Sequence, residues 1–168
     1  MAHRLVLVRH AKTESAAASD AVRELTERGE RQSAALGDVL DGLVRGNVHA
    51  SVSSAVRAVQ TWRLAAARIE TDVTSEQFDS LYIADVDDLL THIRAADDGI
   101  DTLVVVGHNP TIADVVERLA DGGVGPVYDA LRAGGYSPST TTVFDVGHAW
   151  AHLDSTTADL VEYVPPRA

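Results

Sequence analysis

Two arginines and two histidines stand where apolar segments of the chain end. Arg9 and His10 directly follow one such segment, His108 follows another after a single glycine, and Arg57 lies one helical turn beyond the end of a third. Guanidinium groups bind phosphate through paired hydrogen bonds. A neutral imidazole is a nucleophile toward phosphorus, and a protonated one stabilises negative charge. Because phosphoryl transfer depends mainly on positioning and positive charge, these residue types indicate transfer through a phosphohistidine.

Three short segments predict the strands that position these residues. Residues 5–8 and 103–106 are unbroken runs of valine and leucine, typical of strands that are buried on both faces, and a further strand is predicted at 48–52. Ligands of parallel α/β sheets bind beyond the carboxyl ends of the strands. We therefore expect the two arginines and the two histidines to meet at one edge of a sheet.

The rest of the chain alternates between helical and strand patterns. Helices are predicted at 27–44 with Thr26 as N-cap, at 55–69, at 85–96, and from Pro110 to about Ala120 with Asn109 as N-cap. Further strands are predicted near Val73 and at 140–146, 149–153 and 160–164, and residues 121–139 are predicted to be a loop. This order predicts one α/β domain over residues 1–168, a three-layer sandwich with a mainly parallel central sheet flanked by helices.

Composition excludes several classes of function. The 168 residues contain no cysteine, which rules out disulfides, thiolate nucleophiles and cysteine-bound metals. A net charge of −11, from 14 basic and 25 acidic residues, argues against nucleic acid or an anionic membrane as partner. With no signal peptide or membrane span in the sequence, we expect a cytoplasmic protein.

Four motifs resemble those of a known family. Val8-Arg-His-Ala11 resembles the Arg-His-Gly signature of the histidine phosphatase superfamily, also called phosphoglycerate mutase-like. Three further motifs follow in the family's order: Asp20-x-x-Arg23-x-Leu-Thr26-x-x-Gly29, Val52-Ser-Ser-x-x-Arg57-x-x-Gln-Thr61 and Val105-Val-Gly-His108-Asn-Pro110. The similarity covers nearly the whole chain, and the short insert before His108 resembles the short branch typified by the phosphohistidine phosphatase SixA.

The resemblance implies a role for each matched residue. It implies that His10 is the nucleophile, that Arg9 and Arg57 hold the phosphoryl oxygens, and that His108 completes the cationic pocket. It also implies catalysis without a metal or an organic cofactor. Two further cations are candidates for substrate binding. They are Lys12, which follows the nucleophile closely, and Arg23, which belongs to the second motif.

The sequence departs from the family pattern at two points. Ala11 replaces the signature glycine, which is tolerated where the backbone φ is negative. The glutamate that serves larger members as general acid has no counterpart in a recognisable context, so Asp20 and Asp85 are the candidate acids. A missing acid favours substrates whose leaving group needs little protonation, namely N–P or aryl O–P bonds over alkyl phosphates.

Two other patterns are weaker. Asp85-Val-Asp87 is faintly similar to the Asp-x-Asp of magnesium-dependent phosphatases, but acidic residues are also typical of a helix N-terminus. His148 and His152 would share one face of a strand, as metal ligands can, but no third ligand is evident and exposed histidines on an edge strand are the better interpretation.

Together these observations predict a metal-independent phosphatase that acts through a phosphohistidine intermediate. Its partner would be a phosphohistidine protein or a phosphorylated small molecule. Two alternatives stay open at this point. One is a phosphomonoesterase acting on a small metabolite such as a sugar phosphate, and the other is a non-catalytic module that binds phosphate.

Overall fold

The computed structural model describes residues 2–167, within which one sheet of six strands is flanked by helices. The strands are β1 (His3–Arg9), β2 (Val48–Ser53), β3 (Val73–Phe78), β4 (Thr102–Gly107), β5 (Thr141–Val146) and β6 (Ala158–Val164). The helices are α1 (Glu27–Asp41), α2 (Val56–Ala66), α3 (Asp79–Tyr82), α4 (Val86–Arg94), α5 (Thr111–Leu119) and α6 (Pro126–Gly134). Short 3-10 helices lie at Asp20–Val22 and Trp150–His152.

The strand order brings the ends of β1, β2 and β4 together. The order across the sheet is β3-β2-β4-β1-β5-β6. Strands β3, β2, β4 and β1 are mutually parallel, while β5 is antiparallel to both β1 and β6. In the register between β1 and β4, Arg9 lies opposite Gly107, so that the residues after these two strands are neighbours. The predicted, mainly parallel sheet is therefore present.

Both faces of the central strands β1 and β4 are buried, which explains why these two strands are continuously apolar. Alternate residues of β1 and β4 face two separate cores. One core packs these strands against α1 and α2 and includes Val6, Val8, Val104, Val106, Leu40 and Trp62. The other packs them against α4 and α5 and includes Leu5, Leu7, Leu103, Ile93, Val115 and Ile112. These are the three layers that the sequence predicts.

Two predicted elements are wrong. Helix α6 lies within residues 121–139, where the density of glycine and proline predicted a loop. Pro126 stands in its first turn, Val127, Tyr128 and Leu131 pack on the core, and the glycines flank the helix. Residues 149–153 form a 3-10 turn instead of a strand, because the Trp150 backbone and indole N–H groups donate to Asp98 and to the Ile100 carbonyl.

The helix ends show which sequence signals were reliable. Thr26 caps α1 as predicted, since its hydroxyl accepts from the Gly29 backbone N–H at 3.0 Å. Asn109 is not the N-cap of α5, because Pro110 occupies that position. The predicted bounds of α1 and α2 are each a few residues too long at the C-terminus. No helix in the described part of the chain is long and apolar enough to cross a membrane; the cytoplasmic location stays a prediction.

Candidate active site

The loops after β1 and β4 place the two predicted histidines side by side. The ring centroids of His10 and His108 are 5.3 Å apart. The His10 backbone N–H donates to the Gly107 carbonyl at 3.1 Å, which fixes the loop after β1 against the end of β4. Arg57, from the first turn of α2, is 5 % exposed and lies close enough for its charge to add to the effect of burial in lowering the pKa of both histidines.

The His10 ring is held in one tautomer. Its Nδ1 lies 2.9 Å from the Ala11 carbonyl oxygen, which can only accept, so Nδ1 carries the hydrogen and Nε2 has a free lone pair. Burial, together with the positive charge of the arginines nearby, lowers the pKa of His10 to about 3. At neutral pH the ring is therefore uncharged, with the electronic state that a nucleophile needs.

His108 has one satisfied and one unsatisfied ring nitrogen. Its Nε2 lies 2.7 Å from the Ser53 hydroxyl oxygen, which itself accepts from the Ala55 backbone N–H. Within the described chain the buried Nδ1 has no hydrogen-bond partner. Burial, and then the Arg57 charge, lowers the pKa of His108 to about 4. A bound anion would oppose both effects and favour the protonated ring.

Each of the two arginines is anchored through its terminal nitrogens and has an Nε without an acceptor. Arg9 donates from one terminal nitrogen to the Tyr136 carbonyl at 3.0 Å. Arg57 donates to the backbone carbonyl of Asp20 at 2.8 Å and to its carboxylate at 3.0 Å. The Nε atoms of both arginines are buried and have no acceptor among the residues that the structure describes. Buried donors without acceptors are costly, and a phosphoryl group offers three oxygens to such a site.

Asp20 lies at the rim of the pocket and is ionised. Its carboxylate accepts from the Tyr82 hydroxyl at 2.6 Å, from Arg57, and from Arg23 at 2.9–3.0 Å. The Tyr82 hydrogen bond, followed by those of the two arginines, lowers the pKa of Asp20 to about 2. A carboxyl group in this state has no proton to give at neutral pH, so the structure does not support Asp20 as the general acid.

Asp85, the other candidate acid, belongs to a helix cap instead of the site. Its carboxylate accepts from the Asp88 backbone N–H at 2.8 Å, and the Asp88 carboxylate accepts from the Asp85 N–H in return. This reciprocal pair is a capping box at the start of α4. The acidic helix N-terminus is thus the correct interpretation of Asp85-Val-Asp87.

The remaining predicted positions have mixed outcomes. Lys12 is exposed, whereas Arg23 is tied to Asp20 and to the Thr13 hydroxyl. His148 and His152 do not share a strand face, because His148 precedes and His152 ends the 3-10 turn. Residues 2–167 contain no group of three or more histidines and carboxylates that could hold a metal ion.

Ala11 fits where the signature has glycine. Among residues 2–167, Ser139 is the one non-glycine residue with a positive φ, so the Ala11 backbone is one that alanine adopts readily. Its side chain is fully buried, and its N–H donates to the Thr61 hydroxyl of α2 at 3.0 Å.

Sequence reasoning missed Tyr82 and Tyr136. Tyr82 ends α3, donates to Asp20 and meets the His108 ring edge to face at 5.6 Å. The Tyr136 carbonyl accepts from both Arg9 and Asn109. Neither lies at the end of a strand, and each reaches the site through a contact distant in sequence, so no local signal marked them.

Comparison with known proteins identifies the family. Residues 5–81 match the family model described as histidine phosphatase superfamily (branch 1). Over 153 residues the chain is 33% identical to the uncharacterized protein ML1117 of Mycobacterium leprae, covering 89% of this chain and 90% of that protein. The chain belongs to the histidine phosphatase superfamily.

Solved structures of the superfamily refine this assignment. A protein proposed to be the phosphohistidine phosphatase SixA of Nakamurella multipartitia has a TM-score of 0.87 and 30% identity, covering 100% of this chain and 98% of that one. A protein proposed as SixA of Agrobacterium tumefaciens has a TM-score of 0.80 and 26% identity, covering 98% of each chain. The predicted fold, the SixA-like branch and the enzyme class, a phosphatase, are confirmed.

Proposed function

We propose that this histidine phosphatase hydrolyses phosphohistidine, with His10 as its transient phosphoryl acceptor. The observation that carries the proposal is the set of three buried nitrogens without protein partners, Arg9 Nε, Arg57 Nε and His108 Nδ1, in the surroundings of a neutral His10 whose Nε2 is free. Such a pocket suits a phosphoryl group that is attacked by imidazole. The likeness to proteins proposed as SixA supports the same substrate class.

The reaction has two steps. The His10 Nε2 lone pair forms a bond to phosphorus while the bond to the leaving group breaks, and that group takes the electron pair. Water then forms a bond to phosphorus while the P–Nε2 bond breaks; the electron pair returns to Nε2, the proton of the water passes to a phosphate oxygen, and inorganic phosphate leaves. In both steps Arg9, Arg57 and a protonated His108 stabilise the charge on the three non-bridging oxygens.

The surroundings of Asp20 favour P–N over alkyl P–O substrates. An alkoxide needs a proton as it departs, and Asp20 is ionised by its hydrogen bonds to Tyr82 and the arginines. A protonated phosphoimidazole already carries the proton on its other nitrogen and leaves as neutral imidazole. This argues against the sugar-phosphate phosphomonoesterase, and the free Nε2 of His10 argues against a non-catalytic phosphate-binding module.

The proposal is tested with a phosphohistidine peptide and p-nitrophenyl phosphate. The wild type is expected to hydrolyse both, also in excess EDTA, and rapid quenching should trap label that is labile to acid and stable to base. His10→Asn should abolish turnover and labelling, with His148→Asn as the matched control outside the pocket. Label that survives acid, or turnover by His10→Asn, would contradict the assignment of His10.

A leaving-group series tests the substrate class. The kcat/KM is expected to fall steeply from phosphohistidine and aryl phosphates to alkyl phosphates. Alkyl esters that react as fast as aryl esters would show that a competent general acid exists, and a metabolite phosphatase would then be the better assignment.

A further inference from the structure

Tyr82 presents a hydroxyl group that can only accept a hydrogen bond from a substrate. Its one hydrogen is donated to Asp20 Oδ2 at 2.6 Å, since a carboxylate cannot donate. The same hydrogen bond raises the pKa of Tyr82, so the phenol stays protonated at neutral pH. Toward a substrate, Tyr82 Oη can therefore act only as a hydrogen-bond acceptor.

Asp20 itself has no acceptor capacity left for a substrate. Its Oδ1 accepts from Nε and a terminal nitrogen of Arg23, at 3.0 and 2.9 Å, and its Oδ2 accepts from Arg57 and Tyr82. These four bonds use the roughly four acceptor positions of a carboxylate. Asp20 thus holds the Tyr82 hydroxyl in place, and Tyr82 is the group that a substrate can meet.

Tyr82 lies beside two of the groups that line the candidate site. Its ring centroid is 5.6 Å from that of His108 and 5.8 Å from the guanidinium carbon of Arg57. The side chain is partly exposed, so its hydroxyl is within reach of a ligand from solvent.

We propose that Tyr82 is a specificity-determining residue that accepts a hydrogen bond from the N–H of a departing imidazole. This rests on the proposed function and adds the residue that recognises the leaving group. In a phosphoimidazole protonated on its distal nitrogen, the P–N bond breaks, the electron pair stays on the leaving nitrogen, and the distal proton remains where it is. An acceptor that faces this N–H stabilises the protonated, reactive form. Esters without an N–H gain nothing from it.

Tyr82→Phe separates this role from a structural one. We expect kcat/KM for N-phosphoimidazole to fall about tenfold, the order of one lost hydrogen bond, while that for p-nitrophenyl phosphate changes less than about twofold. The matched control is Tyr163→Phe, which removes a hydroxyl that donates to the Gly135 carbonyl outside the pocket. Equal losses on both substrates would show a structural role and overturn the proposal, as would unchanged activity on both.

The wild type provides a second test that does not depend on the folding of a variant. N-phosphoryl-N′-methylimidazolium keeps the positive charge of the protonated substrate but has no N–H. It should react about tenfold more slowly than protonated N-phosphoimidazole after correction for their uncatalysed rates, and equal rates would overturn the role of Tyr82. The proposed function fails on a different readout, namely turnover of either substrate by His10→Asn.

Discussion

Asp20 shows how the role of one residue depends on its partners. From sequence alone it is a carboxyl group in the loop after His10 and hence a candidate acid. In the fold it accepts hydrogen bonds from Tyr82, Arg57 and Arg23, which together hold its pKa at about 2. Asp20 therefore orients Arg57 and Tyr82 through hydrogen bonds and does not need to transfer a proton.

Replacing this carboxylate should affect all esters alike. Asp20→Asn is expected to lower kcat/KM for aryl and alkyl phosphates by a similar factor, about tenfold and largely through KM, because Arg57 loses a charged partner. The measurement is a series of leaving groups with wild type and variant, which should give parallel lines. A loss several times larger for the alkyl esters would instead mean that Asp20 supplies a proton.

His108 should change its protonation state when an anion binds. In the free enzyme burial and the Arg57 charge hold its pKa at about 4, so at pH 5.5 it is neutral. A dianion beside Nδ1 raises this pKa, and we expect uptake of about one proton per sulfate bound. Calorimetric titration in two buffers of different ionisation enthalpy measures the uptake. His108→Gln should abolish it, and binding without uptake in the wild type would show that His108 stays neutral.

The convergence of Arg9, His10 and His108 was predictable, and the residues that surround them were not. Arg9 ends β1, His10 follows it and His108 follows β4, so the topology of a parallel sheet brings the three together without further information. Tyr82 contacts Asp20 across 62 positions of sequence, on a four-residue helix that no periodicity signals. Such contacts depend on loop conformation, which residue patterns do not encode.

At the scale of elements, Thr61 fastens helix α2 to the loop after β1. Its hydroxyl accepts from the Ala11 N–H at 3.0 Å and donates to the Arg57 carbonyl at 2.7 Å. One fully buried side chain therefore ties the residue after His10 to the first turn of the helix that carries Arg57. The relative position of His10 and Arg57 depends on this link.

Thr61→Val should weaken both the fold and the site. It keeps the shape of the side chain but leaves the buried Ala11 N–H without an acceptor, which costs about 1–3 kcal/mol of unfolding free energy. We expect kcat/KM to fall at least about fivefold because a small misplacement of Arg57 is amplified in the transition state. Thr61→Ser retains the hydroxyl and should restore most of the activity. Denaturant unfolding and steady-state kinetics measure the two effects, and a Val variant with full activity would rule out this positioning role.

Elements with clear periodicity were predictable, and those with mixed signals were not. The apolar runs of β1 and β4 and the helical spacing in α1 and α4 each indicate one structure. In α6, Val127, Tyr128 and Leu131 do have helical spacing, but glycines at both ends obscure a helix of nine residues. Gly125 and Gly135, with φ of 120° and 67°, act as its boundaries.

At the scale of the molecule, an acidic protein encloses a cationic pocket. The chain carries a net charge of −11, yet Arg9, Arg57 and two histidines converge on one edge of the sheet. Because these groups are buried close together, the pKa values of both imidazoles are lowered, and both rings are neutral at neutral pH in the absence of a bound anion. The same burial lowers the free energy of unfolding in acid. A histidine that stays neutral in the folded state takes up a proton once the chain unfolds, and this favours the unfolded state at low pH.

His10 should therefore make the folded protein sensitive to acid. Its pKa is about 3 in the folded state and about 6.5 when unfolded, so the unfolded chain binds the additional proton between these values. The stability that the neutral ring contributes is complete above pH 6.5 and declines as the pH falls toward 3. At pH 5 the loss is roughly 2 kcal/mol.

The asparagine variant, which has no imidazole to protonate, should escape this loss. Between pH 8 and pH 5 we expect the Tm of His10→Asn to fall about 4–8 °C less than that of the wild type. His148→Asn, which removes an exposed histidine, should follow the wild type. Scanning calorimetry at the two pH values measures the difference. An equal fall in Tm for wild type and His10→Asn would mean that His10 protonates readily in the folded enzyme. That result would contradict its proposed role as a neutral nucleophile.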